Sequence, residues 1–130
     1  MNGITAERVK EFFDACNARD IDWIASFFAP GAAYLGSIGP DDDGTAFLGH
    51  DEVRRGMDAF LNSHTDLKYT DIDITLASSK RGFATWTFTG TRSNGDTYTY
   101  RGVDIFSFDD EGRISRKDAF RKERANPIGS

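Results

Sequence analysis

Residues 81–108 read RGFATWTFTGTRSNGDTYTYRGVDIFSF. Ala84, Trp86 and Phe88 alternate with threonines, the period of a half-buried strand. Asn94-Gly95 is a two-residue hairpin signal, because both residues tolerate the positive φ that a tight turn demands. The spacing therefore predicts an antiparallel hairpin joining residues 81–92 to residues 97–108. Upstream, Ile72, Ile74 and Leu76 alternate with Asp73 and Thr75 and add a strand before it. Downstream, Asp109-Asp110-Glu111-Gly112 turns the chain into a last strand that ends near residues 120–122.

The first half has a different period. Val9, Phe12, Phe13 and Cys16 recur at helical spacing behind Thr5, a suitable N-cap, with Glu7 near the positive end of the helix dipole. After the polar break at residues 17–20, Ile21, Ile24, Phe27 and Phe28 repeat the pattern until Pro30-Gly31 stops it. A third helix, beginning near residues 49–51 and fading by Ser63, places Val53, Met57, Phe60 and Leu61 on one face. A short strand over residues 32–38 precedes it. Helices first and a long meander last make an α+β fold, expected to fill residues 1–130 as one domain. A right-twisted sheet of this length coils, and helices laid on its concave face enclose a cavity. Its lining is expected from Trp86, Phe88, Tyr98, Tyr100, Asp104, Phe106 and Phe108, aromatic except for one carboxyl group.

Composition narrows the partners. Sixteen basic and 21 acidic residues give a net charge of -5, with no Lys/Arg stripe interleaved with aromatics, so nucleic acid is not an expected partner. The apolar stretch from residue 23 to 29 is far short of the ~20 residues of a membrane span. A lone cysteine, Cys16, and an N-terminus without a secretory apolar core lead to the expectation of a cytoplasmic protein.

Asn17-Ala18-Arg19-Asp20 between two helices, Phe27-Phe28-Ala29-Pro30-Gly31-Ala32, and Val103-Asp104-Ile105-Phe106-Ser107-Phe108 in the final hairpin resemble the nuclear transport factor 2-like superfamily, in its SnoaL-like and ketosteroid isomerase-like branches. The resemblance implies a cone-shaped curved sheet with three helices and a small-molecule site. In the isomerases an aspartate base works with an oxyanion hole of tyrosine and protonated aspartic acid. Asp104 falls on the latter, whereas the tyrosine falls on Phe12 and the base on Gly36. Lys117-Asp118-Ala119-Phe120 resembles the last-strand motif of limonene epoxide hydrolase, whose companion arginine and aspartate would fall near residues 85–87 and are absent. The resemblance thus implies either Asp104 and Asp118 as catalytic residues of a cofactor-independent isomerase, cyclase, hydrolase or dehydratase, or, with the partner groups of both reactions missing, a non-catalytic ligand-binding or dimerisation domain of the same fold.

Register decides whether these two meet, since a one-residue slip exchanges the faces of a strand. A five-residue loop over residues 109–113 pairs Asp104 with Asp118 and turns Ile114, Arg116, Asp118 and Phe120 inward. A four-residue loop pairs Asp104 with Lys117 and turns Ser115, Lys117, Ala119 and Arg121 inward. The first set is the more apolar lining and is the expected one. Two facing carboxyl groups in an apolar pocket would repel and raise the pKa of at least one, making an acid–base pair. Trp23, Tyr34, Met57, His64, Trp86, Phe88, Tyr98, Tyr100, Phe106 and Phe120 are the expected contacts for a small apolar, ring-containing molecule. His50 and His64 lack ligand spacing and Asp41-Asp42-Asp43-Gly44 lacks an EF-hand's distal glutamate, so no metal site is expected. Val103 and Ile105, pointing outward beside Thr85, Thr87 and Thr89, suit a homodimer through the convex sheet face.

Overall fold

In the computed structural model, which describes residues 3–63 and 66–123, α1 (Ala6–Ala18) begins where the Thr5 hydroxyl accepts from the Arg8 amide at 3.1 Å. It ends at Arg19, whose left-handed φ of 57° closes the last turn. Asp20 caps α2 (Ile21–Ala25) through the Trp23 amide. The remaining elements are β1 (Phe28–Leu35), β2 (Ala46–Leu48), α3 (His50–Leu61), β3 (Lys68–Leu76), β4 (Arg81–Thr91), β5 (Thr97–Phe108) and β6 (Ile114–Arg121). Helix α2 is shorter than its apolar period predicts. The Ile114 amide donates to the Phe27 carbonyl at 2.8 Å, so pairing with the sheet captures the backbone where a further helical turn would have formed.

The six strands form one sheet in the order β2-β1-β6-β5-β4-β3. Neighbours run antiparallel except β1 and β6, which are parallel. The β4–β5 turn is one residue longer than Asn94-Gly95 alone suggests: the Arg92 amide donates to the Asp96 carbonyl at 2.8 Å, leaving residues 93–95 as the loop, with Gly95 at φ 90°.

On the concave face of β4 and β5 the opposed pairs are Gly90 with Tyr98, Phe88 with Tyr100, Trp86 with Gly102 and Ala84 with Asp104. Large residues face small ones. A Cβ on Gly102 would come within 2.5 Å of the Trp86 ring, and one on Gly90 within 2.3 Å of the Tyr98 hydroxyl. The missing side chains let both rings lie across the neighbouring strand and line the concavity. Helix α1 covers this face. Phe12 meets Phe13, Phe27, Phe28 and Phe106 edge-on at centroid distances of 5.4–5.9 Å. The Asn17 side chain bonds the Tyr69 backbone twice, donating to its carbonyl at 3.0 Å and accepting from its amide at 2.8 Å, which fastens α1 to β3.

The last hairpin corrects the expected register. Its loop does span residues 109–113, with Phe108 opposite Ile114. One step further Ser107 pairs with Arg116, so a β-bulge has placed one extra residue on β6. Beyond it the faces are exchanged: Asp104 lies opposite Ala119, Lys117 and Ala119 are buried, and Asp118 leaves the interior. The pairing of Asp104 with Asp118 is therefore not formed. Phe83 with Ile105, and Thr85 with Val103 and Phe120, line up on the convex face. Among the described residues no helix is long and apolar enough to cross a membrane.

Candidate functional site

The bulge gives Asp104 a cation in place of a second acid. Lys117 Nζ lies 3.3 Å from Asp104 Oδ1, and the two side chains are 1% and 0% exposed. Burial pushes the Asp104 pKa above its ordinary 3.8; Lys117 and, less strongly, the Trp86 indole N–H offset part of that rise. Neither carboxylate oxygen nor the Trp86 nitrogen makes a well-aligned hydrogen bond, so these approaches act chiefly as electrostatics. For Lys117, burial opposes the charged form, but the Asp104 carboxylate outweighs it and raises the pKa above 10.5. The ammonium form is thereby retained. Burial also raises the pKa of Tyr34 and Tyr69 above 10.0 and that of the Cys16 thiol above 9.0, so these three stay protonated.

The pair sits behind a cavity of about 360 Å³ between α3 and the open end of the sheet. Tyr34 joins the two: its ring lines the cavity, stacks on Phe47 at 5.4 Å, and has Lys117 Nζ 4.4 Å from its centroid. Phe88, Tyr98 and Tyr100 form the opposite wall, with Phe60 and Leu67 closing the helix side. Gly56 on α3 admits the Phe47 ring, since a Cβ there would stand 2.6 Å from it. Two guanidinium groups complete the lining. Arg121 lies over the Tyr100 ring at 4.5 Å, and Arg92 donates to the Tyr100 hydroxyl at 3.0 Å while lying over Tyr98 at 4.7 Å.

Of the expected contacts, Tyr34, Phe88, Tyr98 and Tyr100 converge on this cavity. Met57, Trp86 and Phe106 are core residues beneath it. Trp23 is 37% exposed on α2, and Phe120 is 49% exposed on the convex face, where the bulge has turned it. Asp118 lies beside Arg116 at 3.6 Å instead of facing Asp104. His64 falls outside the described residues. Lys117, Arg92 and Arg121 were not expected in the site. The signal for Lys117 was the inward Asp104 itself, because a buried acid calls for a cationic partner and the other register supplied one. Among the described residues no cluster of three His, Cys, Asp or Glu side chains could hold a metal ion.

Residues 9–117 match the family model of the SnoaL-like domain. Among solved structures, a candidate polyketide cyclase from Xanthomonas campestris is 23% identical, with 86% of this chain and 85% of that one aligned and a TM-score of 0.74. The epoxide hydrolase/cyclase-like enzyme SalBIII of salinomycin pyran-ring formation is 20% identical over 89% and 88% of the two chains, at a TM-score of 0.72. A Mycobacterium tuberculosis protein in complex with estradiol-17β-hemisuccinate is 17% identical over 86% and 88%, at 0.74. No curated protein sequence matches the chain. At these identities the likeness is one of fold, the cone-shaped nuclear transport factor 2-like architecture.

Proposed function

Since the chain belongs to the SnoaL-like domain family, we propose that it is a small-molecule enzyme performing cofactor-independent acid–base chemistry, of the isomerase, cyclase, hydrolase or dehydratase type, on an apolar ring-containing substrate in the cone cavity. The observation that carries this reading is a sealed carboxylate–ammonium pair directly behind a cavity-lining tyrosine. Tyr34, held protonated by burial, donates to a substrate oxygen; Lys117 beside its ring stabilises the negative charge that develops there. Asp104 keeps Lys117 in place and charged, and the Tyr34 hydroxyl recovers from the substrate the proton it gives up as the product forms. Asp118, which the family resemblance implied, has no part in this site. The ring-shaped molecules named for SalBIII and the estradiol complex accord with the aromatic walls. A cytoplasmic setting accords with the single, buried Cys16.

Carbon-detected NMR titration of the Asp104 carboxyl tests the assignment. The resonance is expected to titrate above 3.8, the direction in which burial pushes it. A midpoint at or below that value would mean that water reaches Asp104 and that no sealed pair stands behind Tyr34. The near-zero exposure of both members of the pair favours a second reading, a ligand-binding domain without turnover, in which Asp104 and Lys117 only hold the cone together.

We also propose a homodimer through the convex face, where Phe83, Val103, Ile105 and Phe120 form an apolar stripe edged by Thr85. Sedimentation at micromolar concentration is expected to give twice the monomer mass, and Ile105→Lys to shift the species to monomer. A wild-type monomer at that concentration rules the interface out.

A further inference from the structure

The charges around the cavity are one-sided. The chain carries a net charge of -5, yet among the described residues the cavity lining includes Arg92 and Arg121 and no Asp or Glu. Both guanidinium groups gather at Tyr100, one over its ring and one at its hydroxyl. Arg121 is largely buried, at 14% side-chain exposure, and its ion-pair partner Glu123 stands at the rim, 46% exposed. The rest of the wall is aromatic or aliphatic: Tyr34, Phe47, Phe60, Leu67, Phe88 and Tyr98. Resting on the cone-cavity reading above, we infer that the ligand is a ring-bearing carboxylate, its ring among these side chains and its carboxylate at Arg121 and Arg92.

Guanidinium groups present forked donors that match a carboxylate, and they bind it more strongly where water is excluded; Arg121 is buried in this way, while Arg92 offers its donors from an exposed position. A phosphate ester fits less well. It brings close to two negative charges, while one of the two guanidinium groups is already partly neutralised by Glu123 and, among the described residues, no glycine-rich backbone cradle lines the cavity. The buried Lys117 does not line the cavity, so it acts on the ligand only through the Tyr34 ring and makes no hydrogen bond to a carboxylate.

Calorimetric titration of the full chain with matched pairs tests the inference: 2-naphthoate against 2-naphthalenemethanol, and benzoate against benzyl alcohol. Each acid is expected to bind at least about tenfold more tightly than its alcohol, the range of a charge-assisted hydrogen bond. In the Arg92→Met/Arg121→Met variant, checked for an unchanged circular dichroism spectrum, the acid should lose that advantage while the alcohol keeps its affinity. Glu123→Gln, which frees Arg121, should tighten the acid and leave the alcohol unaffected. Equal affinity for acid and alcohol overturns the carboxylate assignment while the cavity reading stands. An advantage that survives the arginine replacements overturns the role given to Arg92 and Arg121. No binding by any of the four compounds overturns the cavity reading itself, and this inference with it.

Discussion

Replacing Lys117 by methionine is expected to lower the free energy of unfolding by about 3 to 5 kcal/mol, the cost of leaving a buried charge without its partner. The side chain that remains is Asp104, fully buried and with neither oxygen in a well-aligned hydrogen bond. Asp104→Leu alone should cost a similar amount by stranding the ammonium. The double variant Asp104→Leu/Lys117→Met removes both charges, and its stability is expected to return to that of the wild type or exceed it by up to about 4 kcal/mol. Urea unfolding of the four proteins completes the cycle. The pH dependence has a definite sign. Lys117 lowers the Asp104 pKa that burial raises, so without it the folded-state value moves further above 3.8. A folded protein that binds the proton more tightly than the unfolded chain gains stability as the pH falls, so Lys117→Met should recover part of its loss on acidification from neutrality toward 3.8. A loss under about 1 kcal/mol at neutral pH would mean that the pair is solvated, contrary to its burial.

Turnover should be hit harder than stability when the pair is neutralised without being emptied. Asp104→Asn/Lys117→Gln keeps polar side chains of similar size at both positions and removes the titrating groups. On a ring substrate that the wild type converts, this variant is expected to lose about 10²- to 10⁴-fold in kcat, the usual contribution of positioned acid–base groups. Tyr34→Phe should lose a comparable factor, because the tyrosine hydroxyl touches the substrate in the proposed chemistry. The pH profile distinguishes proton transfer from mere support: kcat of the wild type should follow titrating groups that the double variant no longer has. Full turnover by a folded double variant would leave Asp104 and Lys117 with a structural role only, and the binding-domain reading would stand in their place.

Much of the fold was legible because its signals are local. Helical spacing behind Thr5, alternation around Trp86 and the turn residues at 94–95 and 109–112 each follow from a few neighbouring side chains. The end of α2 was less accessible, since Phe27 and Phe28 suit a helix and a strand equally, and a distant partner, Ile114, decides between them. The site divided along the same line. Phe88, Tyr98 and Tyr100 follow from the alternation within their own strands, whereas Asn94-Gly95 taken alone as the loop would set the β4–β5 register one residue off. Asp118 and Lys117 depend on a bulge between elements whose loop length was read correctly, and no local residue pattern announces that bulge. The apolar appearance of Ile114, Arg116, Asp118 and Phe120 as a lining set outweighed the requirement that Asp104 find a counter-charge, and that requirement was the better guide.

The bulge in β6 also bears on how relatives should be aligned. Side-chain direction along a strand has parity, and one extra residue before Arg116 reverses it for everything that follows. In a homologue without that residue, an aspartate that an ungapped alignment places on Asp118 would look into the cone, and a lysine placed on Lys117 would meet solvent. A matching letter in the column would then stand for a different atom in a different place. For this strand a gap of one carries more chemical meaning than several substitutions, and the transfer of catalytic labels between relatives has to begin by counting residues from the 109–113 loop.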